Sequence, residues 1–138
     1  MRYYLDTNIL IFSLLDQRSE LNWKIIDLLD DYSNHFYVSS LVMREAVWLF
    51  KEKKIIHPKF KCTDDLFIAM DIANYEVKPF TKQHVLIYSK LSSLEVHKDP
   101  NDHMIISQSI SDKIPIISSD SKFKLYENQG LQLVFNKR

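Results

Sequence analysis

An α/β fold, with a mostly parallel sheet covered by helices on both faces, is what this sequence predicts. Three observations carry that expectation. Short β-prone runs alternate with stretches of helical spacing along the whole chain. The 138 residues are 46% hydrophobic, enough for a core and of a length that fits one domain spanning residues 1–138. No repeat, low-complexity tract or linker interrupts the alternation.

Arg2–Leu5 reads as the first strand and stops at Asp6, after which Thr7 can cap a helix running to about Leu15. Leu21, Ile25, Leu28 and Leu29 give Ser19–Tyr32 helical spacing, and Phe36–Ser39 reads as a second strand. Leu41–Lys53 is helical, with Leu41, Val42, Ala46, Leu49 and Phe50 on one broad face. Lys54–Lys61, with Pro58 and several lysines, reads as a loop or helix end, and Asp64–Asn74 as a helix. Glu76–Pro79 is a short strand, followed by helices at Thr81–Val96 and Pro100–Asp112. Pro115–Ser118 is a strand that again runs toward an acid, Asp120; a helical turn and a last strand, Leu131–Phe135, complete the chain.

The formal net charge is zero, so any polyanion would have to be drawn in by local patches. The lone cysteine, Cys62, excludes an intrachain disulfide and fits a reducing cytoplasm. The apolar run Ile9–Leu15 lies between Asp6 and Asp16 and is too short to target or span a membrane. A single glycine, Gly130, excludes both a P-loop and a dinucleotide fingerprint.

In a parallel sheet the functional crevice lies beyond the carboxyl ends of the strands. Asp6 and Asp120 follow two of those ends; each can also be read simply as the cap of the helix that follows. Glu45 shares a helix face with Leu41 and Leu49, where a carboxylate is costly unless it is paired, metal-bound or at the border of the face. Asp102 precedes Ile105 and Ile106 on an inward side, and can equally be a first-turn acid behind an Asp99 cap and Pro100. Gathered at one edge, two such charges about 4 Å apart repel by roughly 4 kcal/mol at an effective dielectric of 20. A divalent cation offsets that repulsion, and all-oxygen ligands suit Mg²⁺ or Mn²⁺. The five histidines show no zinc-site spacing and are expected at surface or border positions.

The stretches Tyr4-Leu5-Asp6-Thr7-Asn8, Glu45, His97-Lys98-Asp99-Pro100-Asn101-Asp102 with Ile105-Ile106-Ser107-Gln108, and Pro115-Ile116-Ile117-Ser118-Ser119-Asp120 with Phe123 occur in this order over nearly the whole chain. As an ordered set they resemble the PIN domain, and most closely its VapC-type toxin branch. The resemblance implies a three-layer α/β/α fold and a cytoplasmic ribonuclease that needs Mg²⁺ or Mn²⁺. It also implies a homodimer inhibited by a cognate antitoxin. By position it makes Asp6, Glu45, Asp102 and Asp120 the catalytic, metal-binding quartet, with Asn8 and Ser118 as polar helpers beside them. Ser118 stands where threonine is frequent, and Asn101 where an aromatic is frequent.

Lys98 and His103 flank the acidic helix and are candidate phosphate contacts; the basic run Lys51, Lys53, Lys54, Lys59 and Lys61 reads more readily as a solvated helix end. Ile9, Leu10, Phe12, Leu21 and Trp23 are expected mainly in the core, with some of that surface available to a dimer or antitoxin contact. A haloacid-dehalogenase-like phosphatase needs a second acid two residues after its first, where this chain has Asn8. The other alternative is a PIN-like RNA-binding or adaptor module without catalysis, against which the presence of all four acids argues.

Overall fold

Tyr3, Tyr4 and Leu5 are all buried, as expected of a strand covered on both faces, and they form the middle of the sheet. The computed structural model describes all 138 residues. Its strands are β1 (Arg2–Leu5), β2 (His35–Ser39), β3 (Glu76–Lys78), β4 (Ile116–Ser118) and β5 (Leu133–Phe135). The helices are α1 (Thr7–Leu14), α2 (Trp23–Asp30), α3 (Ser40–Lys51), α4 (Thr63–Ile72), α5 (Lys82–Lys90) and α6 (Pro100–Asp112). Two 3₁₀ segments, Arg18–Glu20 and Ser121–Gln129, precede α2 and β5.

The sheet order is β3-β2-β1-β4-β5, and every neighbouring pair is parallel, so the expected mostly parallel sheet is fully parallel. Tyr4 pairs with Tyr37 on one side and Ile116 on the other. The chain winds one way from β1 to β3, then crosses back to β4 beyond β1. With right-handed crossovers, the helices of the first half cover one face and α5 and α6 the other. Accordingly α1, α3 and α4 pack together, and α5 packs along α6. The result is the three-layer α/β/α architecture. The direction of winding reverses between β1 and β4, where an open sheet leaves its crevice.

Several boundaries differ from those read in the sequence. Asp6, not Thr7, caps α1, accepting the Thr7 N–H at 2.8 Å. The second helix begins only at Trp23, because the Asn22 side chain accepts the Ile25 N–H and fixes the start there. Trp23 is exposed rather than in the core, since Ile25 defines the inward side of α2. The expected helix Thr81–Val96 ends at Lys90, and Leu94 and His97 then form an antiparallel bridge. The break falls at Ser92–Ser93, residues that favour turns over helix interiors; the Ser92 N–H bonds to Gln129 Oε1 at 2.9 Å. That turn delivers His97 to the acidic edge.

By contrast α6 matches its expected range, with Asp99 as cap and Pro100 at the first position. Ile105 and Ile106 behind it are buried. Truncating the fully buried Ile106 to alanine is expected to cost about 3 kcal/mol, read as a lower urea midpoint at unchanged slope. No helix is long and apolar enough to cross a membrane.

Candidate functional site

At the exit of β1, the Asp6 backbone N–H bonds to the Ile117 carbonyl, so the residue is locked between β1 and β4. Its Oδ1 accepts the Thr7 N–H and its Oδ2 accepts the Ser118 hydroxyl at 2.7 Å. Asp6 is therefore at once the helix cap and a member of the edge cluster. Burial pushes its pKa up to about 7, and the nearby charges of Asp102 and Glu45 push the same way. The hydrogen bonds from Ser118 and Thr7 oppose that rise. Ser118→Ala is expected to move the Asp6 titration to still higher pH, a change that ¹³C NMR of the carboxyl group reads directly.

Glu45 is half-buried at the border of α3, whose inward face is Val42 and Ala46. Its Oε2 accepts the Thr7 hydroxyl at 2.6 Å and the Asn101 amide at 3.3 Å. Thr7, released from capping, thus ties α1 to α3, and Asn101 ties α6 to the same carboxylate. The Arg44 guanidinium donates to Asn101 Oδ1 at 3.2 Å. Asn8 is exposed and makes no side-chain hydrogen bond, so Thr7 and Asn101 supply the contacts to Glu45.

Asp102 is half-buried in the first turn of α6, and its Oδ2 meets His97 Nε2 at 2.9 Å. Burial raises the Asp102 pKa; the hydrogen bond from His97 lowers it, and the charges of Asp99 and Asp120 raise it again. Asp120 caps the Ser121–Gln129 segment through the Lys122 N–H, while its own N–H bonds to Ser118 Oγ at 3.0 Å. Ser118 therefore touches the neighbourhoods of two acids at once. One donor atom each from His97, Asp102 and Asp120 lies within 4.8 Å of the others.

The structure thus draws Asp6, Glu45, Asp102 and Asp120 to one end of the sheet. The ion pairs of the chain involve no lysine or arginine at any of the four. Carboxylates this close, half-buried to buried and without a cationic side chain, fit a divalent cation held by oxygen ligands. Asp102 and Asp120, whose oxygens lie within 4.8 Å of each other, could hold it, with Asp6 and Glu45 near enough for their charges to be felt.

Three histidines depart from the expected surface positions: His84, His97 and His103 are buried. His84 and His97 spend both ring nitrogens on internal partners and His103 its Nε2, which is how a protein accommodates a buried imidazole. His97 stood in the motif, yet nothing in its spacing announced a contact to Asp102. Of the two candidate phosphate contacts, Lys98 is exposed, whereas His103 is buried against Tyr126 and the His97 carbonyl. Lys59 of the basic run reaches Leu14 and Asp16, at the opposite end of α1 from Asp6. The largest cleft, flanked by Ser13, Arg18, Asp30, Phe36 and Tyr75, contains none of the four acids. Size is therefore no guide to the chemistry here.

Fold and site together define a doubly wound α/β protein with an acidic carboxyl edge. The chain belongs to the PIN domain family, whose model matches residues 3–128. No protein of curated function matches it in sequence. Among solved structures it is similar to VapBC2 from Rickettsia felis bound to a DNA fragment from its promoter, with a TM-score of 0.69 and 21% identity over 99% of this chain and 100% of that one. DNA-bound VapBC from Salmonella typhimurium is similar with a TM-score of 0.69 and 17% identity over 98% of each chain. FitAcB from Neisseria gonorrhoeae gives 0.63 and 16%, over 97% of this chain and 96% of that one. The family read from the motifs is borne out, and another solved structure of similar fold is described as a member of the VapBC family of toxin–antitoxin systems.

Proposed function

We propose that this chain is a metal-dependent endoribonuclease acting as the toxin of a toxin–antitoxin pair, folded as one domain. The observation that carries the reading is the convergence of Asp6, Glu45, Asp102 and Asp120, without a cationic partner, at the switch point of a PIN-domain sheet. A bound Mg²⁺ or Mn²⁺ supplies an activated water and neutralises charge on the scissile phosphate.

The protein's own groups do the rest. Asp6 presents an oxygen whose geometry is set by Ser118 and Thr7. Asp102 presents another, set by His97. Glu45, held by Thr7 and Asn101, and Asp120, held at a helix start, complete the negative rim. In this scheme Asn8, exposed beside Asp6, is a polar group open to substrate. Lys98, also exposed and paired only with the highly exposed Glu95, is the phosphate contact in this scheme.

We assign the cognate antitoxin to the apolar surface of α4, where Ile68 and Ile72 stand exposed beside a cleft lined by Leu14, Phe60 and Ala69. The solved complexes of similar fold support a protein partner of this kind. A homodimer and a cytoplasmic location belong to the same reading.

Antitoxin-free protein is expected to cut a mixed RNA pool with Mg²⁺ or Mn²⁺ and not with EDTA. Metal binding without any RNA cleavage would instead favour the adaptor reading, and turnover of a small phosphomonoester would favour a phosphatase.

A further inference from the structure

Behind Asp102 lies a buried chain of hydrogen bonds that the nuclease reading does not use. His97, His103 and Tyr126 are all buried, with ring centroids 5.1, 5.4 and 5.6 Å apart. The directions of their hydrogen bonds follow from which atoms can only accept.

His103 Nε2 lies 2.8 Å from the His97 backbone carbonyl, which only accepts, so this nitrogen carries a proton. The same Nε2 lies 2.8 Å from the Tyr126 oxygen; being protonated, it cannot accept from that hydroxyl. The Tyr126 proton has two destinations, His97 Nδ1 at 3.0 Å and the His97 carbonyl at 3.4 Å. The carbonyl is farther and already engaged by His103, so the hydroxyl donates to Nδ1. With Nδ1 accepting, the ring proton of His97 sits on Nε2, 2.9 Å from Asp102 Oδ2.

We infer that His97 is a positioning residue for the acidic site, held by Tyr126 and His103 as an Nε2–H donor that orients Asp102, and is not itself a ligand of the cation. This rests on the metal-site reading above. A protonated Nε2 has no lone pair to offer a cation, although a ring nitrogen of His97 lies within 4.8 Å of the Asp120 and Asp102 oxygens. Asp102 makes no other side-chain hydrogen bond, so His97 alone fixes its carboxylate, leaving Oδ1 free for ligation. Tyr126 belongs to the segment that Asp120 caps. The chain thus couples the segment carrying Asp120 to the turn that orients Asp102. Supporting groups of this sort commonly change metal affinity by about 10–100-fold when removed.

The test has a spectroscopic arm and a binding arm, neither of which uses RNA. Long-range ¹⁵N NMR of the histidine rings is expected to show His97 protonated at Nε2 in metal-free protein and unchanged with saturating Mg²⁺; protonation at Nδ1 in either state overturns the inference. Mn²⁺ titration followed by electron paramagnetic resonance is expected to show about 10–100-fold weaker binding for His97→Phe. His97→Gln, whose amide N–H can reach the same carboxylate, is expected to recover most of that loss. Wild-type affinity in His97→Phe, or no recovery in a folded His97→Gln, overturns it. Should His97→Phe not fold, Tyr126→Phe takes its place, with a shift of His97 toward the other tautomer and severalfold weaker Mn²⁺ binding expected; the absence of both changes overturns the inference. A wild-type chain that passes both arms yet cuts no RNA defeats the nuclease reading and leaves this role standing.

Discussion

Asp6→Asn is expected to lower RNA cleavage about a thousandfold or more, equivalent to about 4 kcal/mol of lost transition-state stabilisation, while making the metal-free protein more stable at neutral pH. Asparagine keeps the shape and can still accept the Thr7 N–H through its Oδ1. It loses the charge that a cation needs. The stability gain follows from linkage. Burial raises the Asp6 pKa from its ordinary 3.8 to about 7, so the folded state holds a proton that the unfolded chain releases. A group raised in this way contributes its full stability below the unfolded value and loses it as pH rises through the folded one. Below about pH 4 the two proteins should therefore be nearly equally stable. Between about pH 4 and about pH 7 the variant should draw ahead by a few kcal/mol, and above that the gap should stay flat. Urea melts of both proteins across this range, in EDTA, test the sign. A variant that falls behind as pH rises would refute the electrostatic account, and one that still cuts RNA at the wild-type rate would remove Asp6 from the chemistry.

Supply and withdrawal of the divalent cation is expected to have the second largest effect. Without it, the edge holds four carboxylates with no lysine or arginine partner. Mg²⁺ at about a hundred times its dissociation constant should stabilise the fold by about 2.7 kcal/mol. For a chain of this length that raises the thermal midpoint by on the order of 10 °C at about pH 8. EDTA should reverse the rise and abolish cleavage together. Binding near pH 6 should release a proton, because Asp6 is largely protonated there in the metal-free state. Calorimetry in buffers of different ionisation enthalpy counts that proton. A midpoint and a cleavage rate both indifferent to EDTA would rule out the cation site.

The legibility of this protein in its sequence followed the range of the interactions involved. Strands β1 and β4 and helix α6 were readable because their signals are local: runs of Tyr, Leu and Ile, and an Asp-Pro start three residues before Asp102. Asp6 and Asp120 were readable because each follows a strand end in sequence. The division of labour around them was not. Thr7 was expected to cap α1; with Asp6 in that role, the Thr7 hydroxyl instead reaches Glu45, 38 positions away. The helix expected through Val96 ends at Lys90, and the turn that follows depends in part on Gln129, far along the chain. Trp23 lies outside the core because a side-chain cap at Asn22 shifts the start of α2.

The sequence by itself determined the parallel α/β architecture and the family motifs, since alternation, capping and strand-end acids are encoded within a few residues of one another. Only the tertiary structure decided how those acids are tuned. It buried Asp6 beneath Ser118, set His97 against Asp102, and put Tyr126 and His103 behind it. The Ser118–Asp6 contact exists only when β4 docks beside β1, and Tyr126 meets His97 and His103 only when the segment after β4 folds back toward α6. The resulting desolvation and hydrogen-bond directions are properties of that juxtaposition, which no local pattern carries.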